Sequence, residues 1–243
     1  MPRMSHGLAR GLTLAAAVIA VALLAASGPG TKAGWWPWQV GLTLFAVAAW
    51  IGIAAALASL VLLALSAFPR FRRHPALPLA ALCIALVAVA PPLIFRGHAG
   101  QVPAIHDITT DPQDPPQFVA LRAARDESPN GSAYGGAEVA AKQAAGYPEL
   151  KALVVPTPPR DEMQRAIDAA RAMGWEVVAS DAASGRIEAT ARTRWFGFTD
   201  DIVVRIRPEG AGSRIDVRSA SRVGRSDVGA NAARIKEYLD RLA

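Results

Sequence analysis

Three long apolar runs open the chain, and a segment of alternating and amphipathic pattern closes it. Residues 8–26 (LARGLTLAAAVIAVALLAA) carry a single charge, Arg10, and residues 38–67 and 76–95 carry none. An apolar run of about 18 residues or more matches the hydrocarbon thickness of a bilayer, so each run predicts a membrane-spanning helix. The middle run exceeds the ~20 residues required, which leaves room for tilt. The first run also has the layout of a signal peptide, with a basic start, an apolar middle and the small residues Ala25 and Ser27 at cleavage-like spacing.

Beyond the third run the pattern changes. Residues 96–118 are polar and punctuated by proline, and RDESPNGSAYGG (125–136) is rich in Gly, Ser, Pro and Asn, so the first reads as a tether and the second as a loop. AEVAAKQAA (137–145) predicts a short helix ended by Gly146. RDEMQRAIDAARAM (160–173) predicts a stronger one, with Met163, Ile167 and Ala170 on one stripe, acidic residues in its first turn and a stop at Gly174. Four strands are expected at 175–180, 186–194, 201–207 and 213–219. Ile187, Ala189 and Ala191 alternate with Arg186, Glu188 and Arg192, Ile202, Val204 and Ile206 with Arg205 and Arg207, and Ile215 and Val217 with Arg214, Asp216 and Arg218. Such alternation fits an antiparallel sheet with one buried and one solvated face. The final helix is expected from Asp227, a capping residue, with Val228, Ala232, Ile235, Leu239 and Leu242 as its apolar stripe. The predicted architecture is an α-helical membrane region (1–95), a tether (96–118) and a two-layer α+β domain (119–243) with helices packed on one face of the sheet.

Charge refines this picture. The chain is 52% hydrophobic with a formal charge of +6. Six of its 26 basic residues, and none of its acidic ones, precede residue 96, which leaves 20 basic residues against all 20 acidic ones in the rest. The C-terminal part is therefore neutral, and nucleic acid is not an expected partner. Arg3 and Arg10 precede the first run and PRFRRH (69–74) joins the second to the third, while only Lys32 lies between the first and second. The positive-inside rule then puts the N-terminus and the 69–74 loop in the cytoplasm and the C-terminal domain outside, the periplasmic side of a bacterial inner membrane. WWPW (35–38) falls at the outer interface. The sole cysteine, Cys83, lies in the third run, so the domain forms no internal disulfide.

HDITTD, DPPQF, QAAGYPEL, MGWEVVASD, GRIEATARTRWFGFTDDIVVRI and DVRSASRVGRSDVGANAARI together resemble the domain of unknown function 1499 family over residues 104–243. The resemblance implies a compact, often membrane-attached domain and carries no catalytic residue. The three runs before it are not part of that signature.

Four segments hold chemistry-bearing side chains. His106 with Asp107, Asp111 and Asp114 supplies ligand types that suit zinc or a similar ion, and Thr109 and Thr110 between them complete the candidate binding segment. Their spacing matches no helical pair and no EF-hand, and local Asp and Thr bonding at the entry to the domain is the favoured reading. The arginines of the sheet's polar face, among them Arg192, Arg205 and Arg218, suit phosphate or carboxylate groups, including anionic lipid headgroups; cross-strand ion pairing is the structural alternative. Arg222 and Arg225 flank a Gly/Ser-rich turn before the last helix, resembling an anion site that lacks a P-loop lysine and already holds Asp227. Asp200 and Asp201 follow the WFGFT turn, where paired carboxylates serve either acid/base chemistry or turn contacts. With only His98 and His106 in this part, no nucleophile–histidine–acid arrangement is recognisable. The expected role is non-enzymatic binding or envelope assembly, with the bilayer, anionic headgroups or another envelope protein as partners and no cofactor. The alternative is a membrane-tethered metal-dependent or hydrolytic enzyme built on HDITTD.

Overall fold

The computed structural model describes residues 2–68 and 75–243, so the basic loop 69–74, on which the expected orientation partly rests, lies outside the described residues. The chain divides into two compact units, residues 1–98 with 194–197, and residues 99–193 with 198–243.

The first unit contains α1 (Pro2–Lys32), α2 (Trp38–Ser66) and α3 (Ala76–Ala99). All three are long and apolar enough to cross a membrane, the first over Gly7–Lys32. α1 and α3 continue beyond the apolar runs at 26 and 95, because helix geometry tolerates the polar residues that end a hydropathy run. Lys32 in the last turn also suits the negative end of the helix dipole. Hydrocarbon offers no hydrophobic drive for helices to associate, so small residues bring the backbones together. Ala17, Ala55, Ala81 and Ala85 form the seam. A side chain at Gly52 would place its Cβ 2.8 Å from Val89 Cγ2 and 3.2 Å from the Ala85 carbonyl oxygen. Hydroxyls in these helices donate back to the preceding turn, Thr13 to Ala9, Ser27 to Leu24 and Thr31 to Ser27, so none of these donors faces lipid unsatisfied.

The second unit runs β1 (Asp107–Thr109), α4 (Arg122–Asp126), α5 (Gly136–Gly146), β2 (Leu153–Val155), α6 (Pro159–Ala172), β3 (Glu176–Asp181), β4 (Arg186–Arg192), β5 (Thr199–Glu209), β6 (Gly212–Ser221) and α7 (Ala230–Asp240). The six strands form one open antiparallel sheet in the order β1-β6-β5-β4-β3, with β2 also on β6. The four expected strands are its centre. The two additional ones are three residues each, too short to display alternation, and lie end to end along β6, β1 on residues 218–220 and β2 on residues 213–215. Thr110 bridges the gap between them: its N–H donates to the Val217 carbonyl at 2.9 Å, and its Oγ1 accepts the Val217 N–H at 2.9 Å. β1 thus lies inside the stretch expected to be a tether.

One face of the sheet carries the main core. Ile187, Ile202, Val204, Ile206, Ile215 and Val217 pack against Met163 and Ile167 of α6 and against Ile235 and Leu239 of α7. Trp175 stacks on Tyr238 at 4.8 Å between ring centroids, and the Tyr238 hydroxyl donates to the Ala166 carbonyl at 2.9 Å. α6 ends as expected at Gly174, whose φ of 74° is a left-handed conformation that glycine adopts without strain.

The opposite face corrects the expectation of a solvated polar surface. Glu188, Asp201, Asp216 and Arg218 are completely buried there. The reason is a second cover, the chain from 116 to 134, which alternation within the strands does not reveal.

Candidate functional site

Strand register sets out this second face in rows. Asp107, Ala220, Asp201 and Thr190 lie abreast across β1, β6, β5 and β4. Thr109, Arg218, Val203 and Glu188 form the next row, and Asp216, Arg205 and Arg186 the one beyond. Val203 and Ala220 are the apolar positions in this field, and Phe118 and Leu121 settle on them. That small hydrophobic contact draws the 116–134 segment over the charges, which must then find partners out of water.

Glu188 finds them in the backbone of the cover. Its carboxylate accepts the N–H groups of Val119, Ala120 and Leu121 at 3.0, 3.0 and 2.9 Å. These amides lead into the five-residue α4, whose N-cap, Leu121, has no capping side chain. A distant acid supplies the missing acceptor at the positive end of the helix. Arg186 Nε approaches the same carboxylate at 3.1 Å.

Two buried arginines complete the centre. The Arg218 guanidinium forks onto Asp107, Nε to Oδ1 at 3.0 Å and Nη2 to Oδ2 at 2.7 Å, and also donates to the carbonyls of Pro116 and Ser132. Arg125, from α4, donates to Asp201 Oδ2 at 3.0 Å and to the Ala220 carbonyl at 2.8 Å. Both guanidiniums approach the Phe118 ring, at 4.6 Å for Arg125 and 4.8 Å for Arg218. Arg222 closes Asp201 with two 2.9 Å bonds. Burial pushes the Arg125 guanidinium down from its ordinary range and Asp201 pulls it back up. The bonds to Asp201 hold Arg222 above its usual range.

Farther along the strands a second cluster joins Arg205, Arg207 and Arg214 to Asp111, Asp114 and the buried Asp216. Three positive charges meet three negative ones, so the arginine-rich face is neutralised from within. On the helix-covered face, Asp200 accepts a 2.6 Å bond from Arg234, and Ser219 donates to Asn231 at 2.7 Å. Asp227 receives the N–H groups of Gly229 and Asn231 at 2.8 and 2.9 Å, the capping contact expected of it, although α7 begins three residues later. Burial raises the Asp227 carboxyl, against the pull of those two amides.

The structure therefore separates residues that the sequence groups together. In HDITTD, Asp107 holds Arg218, Thr110 fills the sheet ladder and Asp111 belongs to the outer cluster. Thr109 turns both backbone groups to Gln143 of α5, its N–H to Oε1 at 3.0 Å and its carbonyl from Nε2 at 2.6 Å, so one amide side chain acts as a surrogate strand on the outer edge of β1. The His106 carbonyl accepts from Ser221 N–H and Asn231 Nδ2, while its ring Nδ1 is buried with no hydrogen-bond partner among the described residues. Among the described residues no three His, Cys, Asp or Glu side chains are grouped to hold a metal ion. Asp200 and Asp201 point to opposite faces and cannot act as a carboxylate pair. Arg192 and Arg225 stay exposed. Arg125 and Gln143, both central, were not among the expected site residues, because nothing in a loop-like or short helical segment distinguishes a buried arginine or glutamine from a solvated one.

The class is now defined: an open antiparallel sheet covered on both faces, on a chain that begins with three apolar helices. The chain belongs to the family described as "Protein of unknown function (DUF1499)", which matches residues 107–242, more than half of its length. The match opens at the first residue of β1. A search of curated proteins finds no match.

Two predictions arise from this site. Replacing one partner of the buried Arg218–Asp107 pair leaves an uncompensated charge, so Arg218→Met and Asp107→Leu each cost about 3–5 kcal/mol in chemical unfolding of the purified chain, and the double variant less than their sum. Additive losses show that the pair is not coupled. The second concerns pH. All three tyrosines have raised pKa values through burial, Tyr134 to about 12. The unfolded chain releases these protons near pH ~10 whereas the folded chain keeps them. Their contribution to stability is complete below that pH and is lost as pH rises toward the folded values. An ultraviolet tyrosinate titration shows little ionisation in the folded chain at pH ~10; full ionisation there with the fold intact contradicts the burial.

Proposed function

We propose that this chain is a multi-pass protein of the bacterial inner membrane that holds an α+β domain in the periplasm as a non-catalytic binding or envelope-assembly module. The observation that carries the reading is the state of the polar side chains. Asp107, Asp111, Asp200, Asp201, Glu188 and Asp216 are each engaged by guanidinium or backbone donors of the domain itself. A general acid or base needs a free lone pair or proton within reach of substrate, and these carboxylates give theirs to ion pairs and amides within the domain. One open depression of the domain, of about 440 Å³, includes none of the candidate residues, and another, of about 210 Å³, only Arg205. The latter is smaller than a typical small-molecule site of ~300–1,000 Å³.

Orientation rests on the basic residues that flank the apolar runs. In a Cys83→Ala background, a single cysteine at Ala182→Cys in the exposed β3–β4 turn reacts with a membrane-impermeant maleimide in intact spheroplasts. Reaction only after lysis places the domain in the cytoplasm and overturns the assignment.

The metal-dependent alternative has one observation in its favour, the unpartnered His106 Nδ1. A ligand specific to the folded state raises the melting temperature. The purified chain in detergent is expected to show no rise with zinc or manganese that His106→Ala abolishes; such a rise refutes the non-catalytic reading and makes the segment a metal site.

A further inference from the structure

The four residues Arg194–Gly197 belong with the apolar helices and not with the sheet domain. They form the tip of the β4–β5 hairpin. Its base is closed by the Thr193 N–H donating to the Phe198 carbonyl at 2.9 Å and by Thr193 Oγ1 accepting the Phe198 N–H at 2.9 Å, and Gly197 takes a φ of 71° to complete the turn. Trp195 at this tip is 45% exposed. Arg192 and Arg194 beside it are exposed, and among the described residues neither has an acidic partner.

A third such arginine lies at the same end of the sheet. The β6–α7 turn starts against the hairpin base, with the Arg222 N–H donating to the Thr199 carbonyl at 3.1 Å, and Arg225 stands exposed three residues on. Of the acids at this end, Asp200 is held by Arg234, and Asp201 by Arg125 and Arg222, which leaves the exposed Glu176, opposite Thr190 on β3, against three arginines. The chain also enters the domain here: Ile105 accepts the Asp227 N–H at 3.1 Å, and His106 accepts that of Ser221. Ile105 lies six positions after Ala99, the end of α3. At ~3.3–3.6 Å per residue such a link spans at most about 20 Å.

We propose that the hairpin tip is a membrane-interface anchor, with the Trp195 indole at headgroup depth and Arg192, Arg194 and Arg225 on the phosphates of anionic lipids. Indole rings prefer that depth, and each arginine near an anionic surface contributes attraction that salt screens. The lipid contact expected of the sheet's arginines moves to the hairpin end, because Arg205 and Arg218 are neutralised inside the domain while these three are not. The proposal rests on membrane residence, and on neither the side of the membrane nor the binding role, so the maleimide experiment can fail without affecting it.

The test uses the full chain labelled with fluorotryptophan in nanodiscs of phosphatidylcholine with or without phosphatidylglycerol, a fraction of the lipid carrying a paramagnetic headgroup. The Trp195 resonance is assigned by its loss in Trp195→Phe. Its paramagnetic broadening is expected to be strong in the anionic discs. It falls several-fold in the zwitterionic discs, at high salt, and in Arg192→Gln/Arg194→Gln/Arg225→Gln, while the broadening of Trp35, Trp36 and Trp38 stays constant as an internal control of insertion. A Trp195 signal that is unbroadened in every disc, or equally broadened in both lipids and in the triple variant, overturns the proposal.

Discussion

A guanidinium taken out of water must be given back its hydrogen bonds and an opposite charge, or the fold that buries it cannot stand. Arg125 and Arg218 impose this condition at the centre of the domain. Each is almost completely buried, and each is matched by a carboxylate on a strand and by backbone carbonyls on the cover or the sheet. The domain is therefore built around two interiors of different kinds. The helix-covered face is stabilised mainly by apolar burial, with a few polar bonds such as Asp200–Arg234 at its margin. On the other face a few apolar contacts, Phe118 and Leu121 on Val203 and Ala220, bring the cover into place. The ion pairs then specify its position, because a shifted cover strands charges where no solvent can reach them.

This arrangement explains why a domain rich in acidic and basic side chains shows so little free chemistry. Asp107 is needed by Arg218, Asp201 by two arginines, and Glu188 by three consecutive amides. At one end, around the β4–β5 hairpin, Arg192, Arg194 and Arg225 stand exposed beside Trp195. The buried charged residues thus organise the fold.

Much of this was legible in the sequence. The three apolar runs gave their helices because hydropathy over a bilayer's thickness is a strong signal, and alternation located the four central strands. Gly174 stopped α6, and Asp227 supplied the capping contacts at the start of α7. The remaining features were hidden for identifiable reasons. A three-residue strand such as β1 has no period to detect. Alternation tells which residues share a face of a strand but not whether a distant segment covers that face, so Arg218 and Asp216 read as solvated. The segment 116–134 looks like loop because its order comes from Glu188 and Arg218, which lie far along the chain, and not from its own composition.

The pairing of β1 with β6 also dictates when the domain can close. β1 is the first strand of the sheet to be synthesised and its strand partner the last, so that Asp107 and Arg218 meet across 111 positions of chain. A contact of that span carries the full entropy of loop closure and forms only when the intervening strands have already shortened the path. The hairpins from β3 to β6 need no such wait, and they supply a finished edge on which β1, β2 and the covering segment can dock. Assembly then proceeds from the C-terminal half backwards, with the residues nearest the apolar helices the last to become ordered.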